Sequence, residues 1–209
     1  MGECEMVLLK KEIHDFVPDH FGSMGDFLEN ADSNECDTIM IACSDHSVAP
    51  DSISFAEPGR VFLLQHLVHS VPPVNECEAD RTMANIEFAF STKKIEHLIV
   101  CGHLQCGVIR SYLNSDITNC DGIKKRFYNQ TVAAVNETYP EVRGENRIEL
   151  LIREHVLFQI ENLLSDDFVH ERIKSGEVKL HGWVVNDSTA RIHSYAPKLH
   201  DFIPIEETL

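Results

Sequence analysis

The stretch "HLIVCGHLQCGVI", residues 97–109, decides how this chain is read. A short apolar run ends in a histidine, and a cysteine follows three positions later, ahead of a segment with helical spacing. That is the pattern of a buried strand, a turn and the start of a helix. A turn leaving a strand lets residues three apart face one point, so His103 and Cys106 are able to chelate together. Working outward, "TIMIACSD" (38–45) and "GRVFLLQH" (59–66) repeat the apolar run with a polar end, the second after a Pro58-Gly59 turn signal. Between the second and third runs, "ECEADRTMANIEFAFSTKKI" places Met83, Ile86, Phe88, Ala89 and Phe90 at helical spacing. A strand–helix–strand succession predicts βαβ crossovers and an α/β fold with a mostly parallel central sheet flanked by helices.

Further along, "GVIRSYLNS" and "IKKRFYNQTVAAVNETYP" read as helical, the latter ending at Pro140. "NRIELLIREHVLFQIENLLSDDFVHERIKSG" predicts one long amphipathic helix and a second one, stopped by Gly176. "EVKLHGWVV" and "ARIHSYAP" bracket "NDST" as a C-terminal β-hairpin. The first thirty residues carry Val7, Leu8, Ile13 and Phe16 at helical spacing, which predicts an N-terminal helical arm. The expected organisation is a single domain, 1–209, with the arm over 1–34 and the α/β core over 35–209.

The formal charge of −16 argues against nucleic acid or an anionic membrane as partner. Seven cysteines are too sparse for a disulfide scaffold in 209 residues. The opening "MGECEMVLLKKEIHDF" is unlike a secretory signal, and no apolar run approaches membrane-spanning length. A cytoplasmic protein with reduced thiols is expected.

Ligands of open parallel sheets sit beyond the carboxyl ends of strands. Two such ends carry sulfur or imidazole: Cys43, and the His103/Cys106 pair. Zinc favours thiolate and imidazole, and a catalytic zinc keeps three protein ligands and one open position. The alternative reading makes Cys43 and Cys101 small buried hydrophobes and His103 a hydrogen-bonded loop residue. Spacing alone leaves both standing, because a lone H-x-x-C is a weak signal.

"IACSDHSV", "EPGRVFLLQHLVHSVPP", "NIEFAFSTKKIEHLIVCGHLQCGVI" and "LHGWVVNDSTARIHSYAP" together resemble the β-class carbonic anhydrases, in order and at compatible separations from Thr38 to the C-terminus. The resemblance implies zinc held by Cys43, His103 and Cys106. It implies a lyase that reversibly hydrates carbon dioxide to bicarbonate with hydroxide generated at the metal. It also implies a homodimer or larger homo-oligomer. Asp45 falls on the aspartate of the family's C-x-D-x-R strand end, which orients the hydroxide or gates the open position. Asn34, Gln65 and Gly107 fall near the substrate.

The chain departs from the family pattern where it matters. Ser47 stands where the family's arginine holds the aspartate off the metal, and Gln65-His66 replaces its R-N pair. Arginine offers a carboxylate a bidentate fork; a serine hydroxyl offers one hydrogen bond, worth about 1.5–3 kcal/mol to a charged partner. Asp45 is therefore expected to spend more time as a fourth ligand, weakening or gating activity. The family's inhibitory bicarbonate site would need tryptophan, arginine and tyrosine where Met40, Gln65 and Val185 stand. Two rival readings follow: a catalytically silent zinc-binding homologue acting as a binding, regulatory or structural subunit, and a zinc hydrolase of carbon disulfide or carbonyl sulfide. His46, His66 and His69 are candidates for proton relay beside the site.

Overall fold

Strand β1 (Thr38–Cys43) is buried along its whole length, as is β3 (His97–His103), and the two pair in parallel. Continuous apolar runs suit strands covered on both faces. In this computed structural model, which describes residues 7–28, 35–45, 59–74, 79–113 and 130–208, they form the centre of a six-stranded sheet. Strand β2 (Val61–His66) lies outside β1 and is also parallel to it. Strand β4 (Lys179–Val185) continues the parallel set beyond β3. Strands β5 (Ile192–Ala196) and β6 (Asp201–Pro204) then turn antiparallel, completing the order β2-β1-β3-β4-β5-β6. The chain steps from β1 to β2 on one side and returns to β3 on the other. The strand order thus reverses between β1 and β3, the place where open α/β sheets form a crevice.

Described helices are α1 (Met24–Leu28), α2 (Ala79–Thr92), α3 (Gly107–Leu113), α4 (Ala133–Thr138), α5 (Gly144–Leu164) and α6 (Asp167–Ser175). The long amphipathic stretch divides as expected. Asp166 caps α6 by accepting the Val169 amide at 3.1 Å, and Gly176 ends it at φ 80, a conformation glycine adopts without strain. Helix α5 packs on one sheet face against a core that includes Ile39, Ile41, Val100 and Leu180. The fit is close because Gly102 and Gly182 lack side chains there: a Cβ on Gly102 would come within 2.9 Å of Val156. Each large side chain buried in this layer contributes about 1.5–3 kcal/mol. The opposite face carries a second core of Met24, Phe27, Met40, Ile99 and Trp183. Trp183 is thus packing in the hairpin strand.

The N-terminal segment differs from the helical arm expected. Residues 7–17 contain no helix, Pro18–His20 form one 3-10 turn, and α1 has only five residues. The apolar positions that suggested a helix are spent instead as separate anchors, with Val7, Ile13 and Phe16 each packed against the main core. Side-chain and main-chain hydrogen bonds tie this strap down. Tyr139 Oη accepts the Lys10 amide at 2.6 Å, and both ring nitrogens of His14 reach carboxylates on α5. Residues 1–6 and 29–34 of the expected arm lie outside the described residues.

Candidate metal centre

Cys43 is the last residue of β1 and His103 the last of β3, so the parallel pairing brings both to the same end of the sheet. Cys106 lies one turn beyond His103, immediately before α3. Their ligand atoms lie within 4.8 Å of one another and all three residues are buried. The two sulfurs are 3.9 Å apart. The centre stands at the carboxyl ends of β1 and β3, where the strand order reverses.

The donor set fits a thiophilic divalent metal. Nδ1 of His103 donates to Asp187 Oδ1 at 2.9 Å, leaving the Nε2 lone pair for a ligand. That Nε2 is buried and has no hydrogen-bond partner, a costly condition unless something binds it. The thiols are electrostatically unlike. Cys43 is lowered to about 4, first by its contact with Cys106 against the opposing effect of burial, and then by His103. Cys106 is pushed up by the same contact and by burial. The pair therefore holds one proton between two sulfurs. Burial opposes charge on His103, but the Cys43 sulfur and the Asp187 carboxylate outweigh it and raise its pKa. Zinc ligation needs both thiolates and neutral imidazole; these three side chains supply them once the shared protons leave. Cys101 stays outside the set: burial pushes its thiol up to about 12.

Asp45 is exposed and turned toward α3. Its Oδ2 accepts the amides of Gly107 at 2.7 Å and Val108 at 3.2 Å. Gly107 is thus joined to the site through its N–H, and its missing side chain is what allows the approach, since a Cβ there would lie 2.8 Å from Asp45 Oδ2. Gln65 is not brought together with the ligands. It pairs with Ala42, and strand alternation puts it on the sheet face opposite the sulfur of Cys43. His66 pairs with Cys43 instead, and its Nδ1 donates to the Ser70 carbonyl at 2.8 Å. Asn34, His46 and Ser47 lie outside the described residues.

His69 is buried behind the centre, its ring 5.0 Å from that of His155. Burial first, then His155 and His103, hold it well below the usual imidazole range, so it stays neutral at neutral pH. Val68 and His69 have φ of 52 and 44, a left-handed conformation unfavourable for a β-branched residue. His155 Nε2 donates to the Val68 carbonyl at 3.1 Å and helps hold that turn.

Asp187 was not among the residues the sequence singled out. It follows β4 in the "NDST" turn, and β4 runs in register with β3 so that Val185 pairs with His103. An acid two residues past that pairing was the available signal.

A Cys₂His cluster at the switch point of an open α/β sheet is a group that could hold a metal ion. A family model described as carbonic anhydrase matches residues 38–192. A carbonic anhydrase of Synechocystis is 28% identical over 205 residues, covering 95% of this chain and 74% of the relative. One from Helicobacter pylori is 31% identical over 180 residues, covering 82% and 81%. The solved structure of the β-carbonic anhydrase CcaA superposes with a TM-score of 0.72 at 30% identity, over 80% of this chain and 82% of that one. The chain belongs to the carbonic anhydrase family, in its β class.

Proposed function

We infer that the protein is a zinc-dependent carbonic anhydrase that reversibly hydrates carbon dioxide to bicarbonate and a proton. The observation that carries this reading is the buried Cys43–His103–Cys106 cluster, with the unpartnered Nε2 of His103, in a chain of this family. Zinc bound there supplies Lewis acidity that makes water a nucleophile near neutral pH. The chain's own side chains do the rest. Cys43 and Cys106 carry the anionic charge, and His103 is fixed by Asp187. Asp45, with Oδ2 occupied by the start of α3, offers Oδ1 to orient the attacking water.

The two amides do part of the work the missing arginine does elsewhere in the family, keeping Asp45 off the metal. This supports an active enzyme although Ser47 follows at the arginine position. The second reading, a silent zinc protein with Asp45 as fourth ligand, is favoured by Ser47 and by Gln65-His66 in the sequence. A homo-oligomer is in keeping with a structural neighbour from the fungus Sordaria macrospora, one of two β-carbonic anhydrases described as tetrameric. Among the described residues no helix is long and apolar enough to cross a membrane, and a reducing compartment such as the cytoplasm would keep the ligand thiols available.

The test is stopped-flow hydration on zinc-quantified protein from about pH 6.5 to 9, beside a Ser47→Arg variant. Fast turnover by the native chain with one zinc each supports the reading. A silent native chain with full zinc, joined to an active Ser47→Arg variant, transfers the role to binding. Carbonyl sulfide run in parallel separates the remaining substrate.

A further inference from the structure

We propose that Asp187 is the positioning residue of the metal centre, fixing the His103 imidazole and the 104–106 turn together so that His103 Nε2 and the Cys106 thiol meet at one point. The proposal rests on the reading of this cluster as a zinc site. The carboxylate divides its oxygens between two tasks. Oδ1 accepts His103 Nδ1–H at 2.9 Å, which sets both the tautomer and the rotation of the ring. Oδ2 accepts the backbone amide of Gln105 at 2.8 Å, which holds the turn between the two ligands. The Asp187 side chain is only 2% exposed, so these bonds act with little competition from water. An aliphatic side chain in its place would leave the Gln105 amide and the His103 Nδ1–H without their acceptors.

The support behind Asp187 is itself rigid. Asn186 Oδ1 accepts the Ser188 amide at 3.0 Å, and the Asn186 amide donates to the Arg191 carbonyl at 2.8 Å. Strands β4 and β5 clamp the base of the turn through the Val185–Ile192 pair. On the other side, the Leu104 amide donates to the Val185 carbonyl at 2.9 Å, and Gln105 Nε2 donates to Ser188 Oγ. The "NDST" hairpin turn thus acts as a fixed wall against which the metal loop is set. A carboxylate located 84 residues from His103 in the chain decides where the imidazole points.

The experiment is a zinc competition titration against a chromophoric chelator, run as a double-mutant cycle with Asp187→Ala and His103→Ala. Outer-shell partners of a ligating histidine are worth about 10–100-fold in metal affinity. Asp187→Ala is expected to weaken zinc binding by that factor in the native background, and by a clearly smaller factor once His103 is gone, the remainder reporting its hold on the Gln105 amide. Asp187→Asn, which keeps an acceptor for His103 and the volume of the side chain, is expected to recover part of the loss and replaces the alanine if that variant does not fold. Undiminished affinity in Asp187→Ala or Asp187→Asn overturns the inference. So does an equal loss with and without His103, which would make Asp187 a support of the loop alone. The native chain is the control: failure of the native chain to bind zinc overturns the metal-site reading as well.

Discussion

Asp45 accepts the backbone amide of Gly107 at 2.7 Å, across 62 residues of sequence. The bond joins the end of β1 to the start of α3 and fixes one oxygen of the carboxylate. A Cβ at position 107 would stand 2.8 Å from that oxygen, so the Asp45 side chain would have to shift. Gly107→Ala is therefore expected to displace Asp45 and lower hydration at least about tenfold, a transition-state loss near 1.4 kcal/mol, with zinc content unchanged. Stopped-flow rates per bound zinc would decide it. An unaltered rate would mean that the amide contact does nothing for turnover.

Zinc binding should release protons. In the metal-free chain the thiols share one proton, with Cys43 lowered to about 4 and Cys106 raised, and the His103 pKa is raised by its neighbours. The metal needs all three groups deprotonated. Apparent affinity is thus expected to climb with pH around neutrality, with roughly one to two protons released per zinc. Calorimetry in two buffers of different ionisation enthalpy measures that number; a value of zero would contradict the electrostatic account.

His14 gives the N-terminal strap a dependence on pH. Its Nδ1 meets Glu161 Oε1 at 2.7 Å and its Nε2 meets Glu154 Oε2 at 2.8 Å, so both nitrogens donate and the ring is a cation. Burial disfavours that charge most, yet the two carboxylates together outweigh it and the pKa is raised above 6.5. Stability from a raised pKa is complete below the unfolded value and is lost as pH climbs through the folded one. Native protein is expected to lose thermal stability from about pH 6.5 upward. His14→Ala, which leaves the buried Glu154 with the Tyr139 hydroxyl but without its cation, should cost about 3 kcal/mol in acid and show no such slope. Parallel melting curves for the two proteins check this: the gap between them is expected to narrow as pH rises, and a gap that stays constant contradicts it.

Gly102 tests the packing behind the centre. A Cβ there would lie 2.9 Å from Val156 Cγ2, 3.1 Å from Ile152 Cγ2 and 3.2 Å from His69 Cε1. The first two are stubs on a packed helix with little freedom to retreat. Gly102→Ala is expected to destabilise by about 1–3 kcal/mol, seen as a lower denaturation midpoint in urea. A midpoint at the native value would show that α5 has slack against β3.

What could be read from the sequence follows from how locally each feature is encoded. The central strands are unbroken apolar runs ending in chemistry-bearing residues, so Cys43, His103 and Cys106 stood out along with the sheet that gathers them. Gly176 and the turn around Asn186 likewise announced where α6 ends and where β4 folds back on β5. The strap was misread because Val7, Ile13 and Phe16 are individual anchors, and helical spacing does not distinguish anchors from a stripe. Strand β6 was missed because four residues, two of them only half-buried, carry little periodic signal. Asp187 was missed for a different reason: its partner is chosen by the register of β4 against β3, which no window of sequence contains. Gly107 was placed near the substrate, whereas its contact with Asp45 depends on where a strand end and a helix start meet.

The distance along the chain between Cys43 and Cys106, 63 residues, gives the centre a second consequence. A metal held at both ends closes a loop containing β2, α2 and β3, as a covalent staple would, and the cost of leaving that loop open falls on the unfolded chain. Occupancy would then govern lifetime as much as chemistry. A chain stripped of its ion should unfold sooner and give proteases more frequent openings, so the supply of metal during synthesis would set how much of the protein accumulates.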